Sequence, residues 1–406
     1  MTKTVVIGGG ASGLFAGCFL KKEGQDFVIL ERNGECGRKL LVTGHGRCNI
    51  TNNKEPQILA RGYHEASGFV YPALRRFTPG DCIRFLEDEL GLKVKTEEDD
   101  RIFPVTDKAA DIRDRMVSYI GRDNIITGFK CASISKNDPG FTVRSEDGTA
   151  ISSEHLILAC GGMSYPKTGS DGSGYELASS MGHSIVAPRP ALAMIPAEDK
   201  IVSDLSGVTA KDVVLSLYVN GRKTSSASGD LLFTHRGLSG PAAMELAREI
   251  PVKAEDVYVC IDFATGVTDQ ILLSQIASHP RTLFVNVISE YVPRSLADKL
   301  CTDNDIRCSD VTAAFRKETL KRLREYRISV TGVPDIVSSY CTRGGVDLKE
   351  IDRKTYGSKI VKELYIVGEN CDVDGISGGY NLAFAAASSF LAVSCIVGYN
   401  KRVINS

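Results

Sequence analysis

Thr4-Val5-Val6-Ile7-Gly8-Gly9-Gly10-Ala11-Ser12-Gly13-Leu14-Phe15-Ala16-Gly17-Cys18-Phe19-Leu20 lies at the start of the chain. The β-branched run 4–7 predicts a buried parallel strand and 14–20 an apolar helix, with the glycines forming the turn between them. G-x-G-x-x-G is informative only in this strand–turn–helix context. Gly8 permits the tight turn, Gly10 lets a pyrophosphate approach the backbone, and Gly13 lets helix and strand pack closely. Ala11 and Ser12 lie with Gly13 at the helix N-terminus, whose N–H groups and positive dipole end suit phosphate. A second strand, 27–30, ends at Glu31, where a carboxylate accepts hydrogen bonds from an adenosine ribose, and Arg32 follows. An acid there disfavours the 2′-phosphate of NADP. NAD and FAD both remain open from this motif.

Bulk properties narrow the partners. With 406 residues and 43% hydrophobic content, the chain has room for two domains with their own cores. Lys+Arg 49 nearly balances Asp+Glu 50. That balance and the lack of a basic run argue against a nucleic-acid partner. No apolar run reaches the roughly 20 residues that span a bilayer, and 5–7 is too short for a signal sequence. No membrane partner and a cytoplasmic location are expected. The twelve cysteines contain no C-x-x-C pair, so they read as small apolar residues and no metal is expected. Cys48 and Cys160, embedded in glycine motifs, stand apart from the rest.

Three further segments favour FAD over NAD. Directly after the second strand, 37–52 combines glycines with bases and amides: Arg38, Lys39, Gly46, Arg47, Cys48 and Asn49. Such a stretch suits a loop laying N–H groups and cations along phosphates and ring edges. A buried strand at 155–158 then ends in Ala159, Cys160 and Gly161, an ending that resembles the one flavoproteins with two-dinucleotide folds place close to the cofactor. A hairpin around 129–133, including Cys131 and Ala132, and 141–144 precedes it. Near the C-terminus a strand at 363–367 ends in Gly368 and Glu369, a pair able to accept ribityl hydroxyls. Asp374 follows, and Gly379, Tyr380, Asn381 and Leu382 open an Ala-rich helix over 382–393. Its N–H groups suit negative charge on a flavin's pyrimidine edge.

These motifs resemble the BaiN/YhiN-type FAD-dependent flavoproteins, which include bile-acid reductases and aminoacetone-oxidase-like enzymes. The stretches that carry the resemblance are GRKLLVTGHGRCNITN, LILACGGMSYPKTGSDGSGYELASSMGHSI, FTHRGLSGPA, TRGGVDLKEID and GENCDVDGISGGYNLAFA. Tyr356-Gly357 and Arg343 depart from the family pattern, close to the expected substrate side. The implied fold is α/β: a Rossmann-like FAD-binding domain of the two-dinucleotide-binding type, with an inserted β-barrel and helical domain. The expected boundaries are 1–190 with 335–406 for the split FAD domain and 191–334 for the insert.

Within the insert, 213–219, the Asn220-Gly221 turn and 222–226 predict a hairpin. Further strands are expected near 231–234 and 257–263, and helices over 268–278 and 310–327. His235 and Arg236 are read either as a loop reaching the flavin face or as a strand-to-helix connection capped by Ser239. Asp107-Lys108-Ala109-Ala110, after Phe103-Pro104, resembles a further signature of the family, but Asp107 is read as a helix cap. The expected activity is that of an FAD-dependent oxidoreductase that reduces a C=C bond in an enone, with bile-acid or steroid-like compounds as a candidate class. Tyr165 and His45 are candidate proton donors. The insert has no second G-x-G-x-x-G, so NAD(P)H visiting the same cleft or a protein donor is expected to supply electrons. An aminoacetone-like amine oxidase, and a flavin-binding or tRNA-associated protein, are the alternatives.

Overall fold

The computed structural model describes residues 2–253 and 256–398. Thr2–Ile7 (β1) leads through the glycine turn into Ala11–Lys22 (α1), and Phe27–Glu31 (β2) follows. Ile125–Thr127 (β3), Cys131–Lys136 (β4), Phe141–Ser145 (β5), Ala150–Leu158 (β6) and Leu364–Ile366 (β7) complete the same sheet. Five of these strands run parallel in the order β3–β2–β1–β6–β7. Every residue of β2 and β7 is buried, as expected for parallel strands covered on both faces. β6 has two roles. Its first half pairs antiparallel with β5, extending the β4–β5 hairpin, and its second half joins β1 and β7.

Two helices set the geometry of the glycine-rich end. α1 is buried from Ser12 to Leu20, and a β-carbon on Gly17 would lie 2.6 Å from Ile29 Cδ1. The missing side chain therefore fixes how closely α1 lies on β2. Tyr380–Ile396 (α2) is apolar around most of its circumference and correspondingly buried. The Ser389 hydroxyl donates to the Ser12 carbonyl at 2.9 Å, tying α2 to the first turn of α1.

The chain divides into two compact units, Met1–Arg189 with Ile336–Ser406, and Pro190–Asp335. Each has its own apolar core. The second unit is built on a six-stranded antiparallel sheet in the order Ile195–Pro196, Gly237–Ser239, Arg222–Phe233, Thr209–Val219, Val257–Asp262, Tyr326–Ser329. Its strand ladder is open, with one bond from the Thr331 N–H to the Pro196 carbonyl, 3.0 Å, reaching across its two edges.

Several expectations for this unit change. The strands expected at 222–226 and 231–234 are one strand, Arg222–Phe233. Ser-Ala-Ser-Gly-Asp reads as punctuation, yet Ala227, Ser228 and Gly229 keep pairing with Leu215, Val214 and Val213. The helix expected over 310–327 is shorter, Ala313–Arg324, capped by the Thr312 hydroxyl; Tyr326–Ser329 turns instead into an edge strand. The cap of Pro241–Ala247 is Gly240, not Ser239. Residues 316–327 also hold Arg316, Lys317, Lys321, Arg322, Arg324 and Arg327 against Glu318 and Glu325, a basic run hidden by the overall charge balance. Arg316, Arg322 and Arg324 pair with Asp269, Glu318 and Asp262.

No helix among the described residues is long and apolar enough to cross a membrane. Among the same residues no group of three or more His, Cys, Asp or Glu could hold a metal, and all twelve cysteines are free.

Candidate cofactor site

The first turn is shaped by what its glycines lack. Gly8 has φ 102°, donates to the Leu30 carbonyl at 2.8 Å, and would place a β-carbon 2.5 Å from the Ala159 carbonyl oxygen. A β-carbon on Gly13 would overlap the Gly8 carbonyl oxygen. Gly10 is the opposite case, since a β-carbon there would meet nothing within 4 Å. No side chain caps α1. The first N–H groups of the helix and its positive end therefore have no capping side chain, and the space beside Gly10 is open. Glu31, 6% exposed, accepts the Gly9 N–H at 2.8 Å and both the N–H (2.8 Å) and side-chain amide (2.7 Å) of Asn33. A carboxylate has about four acceptor positions, so one is left for a ribose hydroxyl.

The cations predicted along the phosphates are mostly engaged elsewhere. Arg32 pairs with Asp171, and Arg38 donates to Asn33 Oδ1 at 3.1 Å. Arg47 stacks its guanidinium 4.2 Å from the Phe103 ring centroid and binds both Asp107 and Glu97. Lys95 shares the same two acids. Hydrogen bonds from Lys95 and Arg47 hold the Asp107 carboxyl below its ordinary range, and the bonds that Arg47 donates to Glu97 and Asp107 raise Arg47. Asp107 is therefore no helix cap: that position belongs to Lys108, and Asp107 anchors the 37–52 loop through Arg47. Gly46 and Cys48 adopt φ 85° and 61° within this loop, and burial pushes the Cys48 thiol up to about 12. His45, at φ 57°, is exposed.

Lys39 and Glu369 meet across 330 positions of sequence. Lys39 Nζ lies 2.6 Å from Ser164 Oγ and 2.8 Å from Glu369 Oε2, while Glu369 Oε1 accepts the Thr342 N–H at 2.6 Å. The acid expected to accept ribityl hydroxyls is thus already bound by a lysine and a backbone amide. Beside it, Gly368 adopts φ 60° and donates to Ser388 Oγ at 3.1 Å, and Gly161 donates to Asn370 Oδ1 at 3.3 Å. The Ala159 N–H and the Cys160 thiol both reach the Ile7 carbonyl, at 2.9 and 3.5 Å. Cys131 opens β4, and the exposed Ala132 sits at a register irregularity.

At α2, Gly379 has φ 94° and would set a β-carbon 2.5 Å from the Thr51 carbonyl oxygen and 2.9 Å from Asn49 Oδ1. No side chain caps this helix either. The Asn381 side chain closes its own loop through the Gly375 N–H and carbonyl, at 2.9 and 3.0 Å, so its amide is engaged within the chain. The Tyr380 carbonyl accepts the Tyr63 hydroxyl at 2.7 Å, Asp374 is buried, and Leu382 is half-buried. Asn49 Oδ1, Ser170 Oγ and Asn370 Nδ2 are buried with no partner. Buried polar atoms are nearly always satisfied, so these three fit a polar ligand lying against the glycine loops. Asn33, Ser170 and Asn370 escaped the sequence reading. The signal for Asn33 and Asn370 was an amide close behind each key acid.

The model of the HI0933-like protein Rossmann domain matches residues 2–395. The chain belongs to this family. HI0933-like proteins are FAD-dependent flavoproteins, and FAD is the cofactor here. The uncapped helix ends, the open surface at Gly10 and the three unsatisfied polar atoms fit it. This HI0933-like chain is 30% identical over 97% of its length to a 3-dehydro-bile acid delta(4,6)-reductase of Clostridium scindens, covering 98% of that protein. It is 27% identical, over 97% of each chain, to a ribosomal RNA dihydrouridine synthase of Escherichia coli K12. Among solved structures, a 3-ketosteroid delta1-dehydrogenase of Sterolibacterium denitrificans shares its fold, with TM-score 0.52, 12% identity, and 98% and 99% of the two chains covered. The chain is an FAD-dependent oxidoreductase.

Proposed function

We propose that this enzyme saturates a C=C bond conjugated to a carbonyl, with NAD(P)H as electron donor and a steroid-like enone as acceptor. One observation carries the reading. The reductase relative and the dihydrouridine synthase relatives, aligned over nearly the whole chain, bear names that denote the same bond change. A Δ4,6 3-oxo steroid and the uracil ring each present an alkene conjugated to a carbonyl. Bound FAD supplies two-electron hydride chemistry. The chain's own part is to hold the cofactor on Gly8–Gly13 and the first turn of α2 and to provide a proton. A uridine in RNA is the second reading, favoured by the basic run 316–327, in which Lys317, Lys321 and Arg327 stand beside the paired arginines.

Anaerobic holoprotein reduced with NADPH or NADH is mixed with 4-androstene-3,17-dione, with a 3-oxo-4,6-diene bile acid, and with ribosomal RNA. Reoxidation coupled to loss of the conjugated absorbance of either steroid supports the first reading. Dihydrouridine in the RNA supports the second. Fast reoxidation by oxygen with peroxide release, and none by the three acceptors, overturns both in favour of an oxidase.

A further inference from the structure

Tyr165 adopts φ 54° and ψ 55°, a left-handed conformation that bulky L-residues rarely occupy and that persists only when its surroundings enforce it. Three bonds enforce it here. The Tyr165 N–H donates to the Val337 carbonyl at 3.1 Å, and its own carbonyl accepts the Thr168 N–H (2.8 Å) and hydroxyl (2.7 Å). The two residues before it are held by groups at the glycine end of the cofactor site. The Met163 N–H binds Thr342 Oγ1 at 2.8 Å, and Ser164 Oγ lies between Lys39 Nζ at 2.6 Å and Glu369 Oε1 at 3.3 Å.

The Tyr165 ring packs beside a second tyrosine. The Tyr165 and Tyr340 rings lie 5.9 Å apart at 59°. Tyr340 is 36% exposed, so the pair runs from a half-buried hydroxyl to solvent. Burial, then Tyr340, raises the Tyr165 phenol, which keeps it protonated at neutral pH. A strained aromatic residue, carried on a segment pinned by Lys39, Glu369 and Thr342 and packed beside a second, solvent-exposed tyrosine, has the parts of a proton channel.

We propose that Tyr165 is the proton donor of the reduction and that Tyr340 returns its proton from solvent; this rests on the C=C reduction reading above. As the β carbon of the conjugated alkene takes the hydride, the π pair shifts to the α carbon, which forms its new bond with the proton of the Tyr165 O–H. The phenolate left behind takes the Tyr340 proton, and Tyr340 takes one from water.

The test uses holoenzyme, wild type, Y165F and Y340F, in D2O, with the two steroid probes and ribosomal RNA as acceptors. Wild type is expected to place one solvent deuterium on a single face of the α carbon. Y165F should slow acceptor reduction by about 10²-fold or more, the usual scale for losing a general acid. It should also distribute deuterium over both faces, while FAD absorbance, acceptor binding to oxidised holoenzyme and reoxidation by oxygen stay within about twofold. Y340F should lose about tenfold in rate and keep the facial selectivity. Wild-type rate and selectivity in Y165F would overturn the assignment while leaving the reduction reading intact. If wild type reduces no acceptor, the reading itself fails and the assignment falls with it.

Discussion

Gly368 and Ser12 stand so close that a β-carbon on the glycine would overlap the serine hydroxyl oxygen. The contact joins the end of β7 to the first turn of α1, and the Gly368 N–H to Ser388 Oγ bond adds α2 to the same knot. At φ 60° an alanine would also meet the left-handed penalty of about 1–2 kcal/mol. Gly368→Ala is expected to cost more than about 2 kcal/mol and to weaken FAD retention, checked by thermal melting and FAD fluorescence titration. Melting at the wild-type temperature would show that the three segments can move apart at no cost.

Gly10 and Gly13 allow stability and binding to be separated. A β-carbon on Gly13 would overlap the Gly8 carbonyl, whereas one on Gly10, at φ −75°, meets nothing. Gly10→Ala should therefore melt within about 0.5 kcal/mol of wild type, as surface substitutions do. It should nevertheless bind FAD at least about tenfold more weakly, because the methyl group occupies the surface the pyrophosphate needs. Gly13→Ala should lose both fold stability and cofactor. Equal FAD affinity in wild type and Gly10→Ala would place the pyrophosphate elsewhere.

Asp107 gives the 37–52 loop a pH dependence with a defined sign. Hydrogen bonds from Lys95 and then Arg47 depress its folded-state pKa. The stabilisation is therefore present above the unfolded aspartate value of ~4 and is lost as pH falls through the lower folded value. Asp107→Asn should melt below wild type at neutral pH, and the gap should close as the pH is taken below the ordinary aspartate range. Melting curves recorded down that acid range decide it; a gap that widened toward acid would contradict the assignment.

Lys39 and Glu369 are each 21% exposed in their side chains, so removing either partner strands a largely buried charge. Lys39→Met or Glu369→Gln alone is expected to cost about 1–3 kcal/mol, and the double variant less than the sum. A double-mutant cycle on urea-induced unfolding, showing additive losses, would mean that the pair is not coupled.

The glycine spacing, the run 4–7, Glu31 at the end of the second strand and the Ala-rich helix near the C-terminus were legible from residue order alone. Each depends on neighbours within one strand–turn–helix unit, so local sequence is enough to determine it. That reading included Gly8, Gly10 and Gly13, whose tight or open surroundings the structure then showed. The long strand Arg222–Phe233 was hidden because Ser-Gly-Asp reads as a break until Thr209–Val219 lies beside it and supplies the missing hydrogen-bond partners. The charged residues depended on the fold most of all. Their type marked Lys39, Arg47 and Glu369 as cofactor ligands, and sequence predicted them as such. Only the tertiary structure could pair Lys39 with Glu369, or turn Arg47 onto Asp107, because a long flexible charge takes the nearest opposite partner and folding alone determines which residue that is.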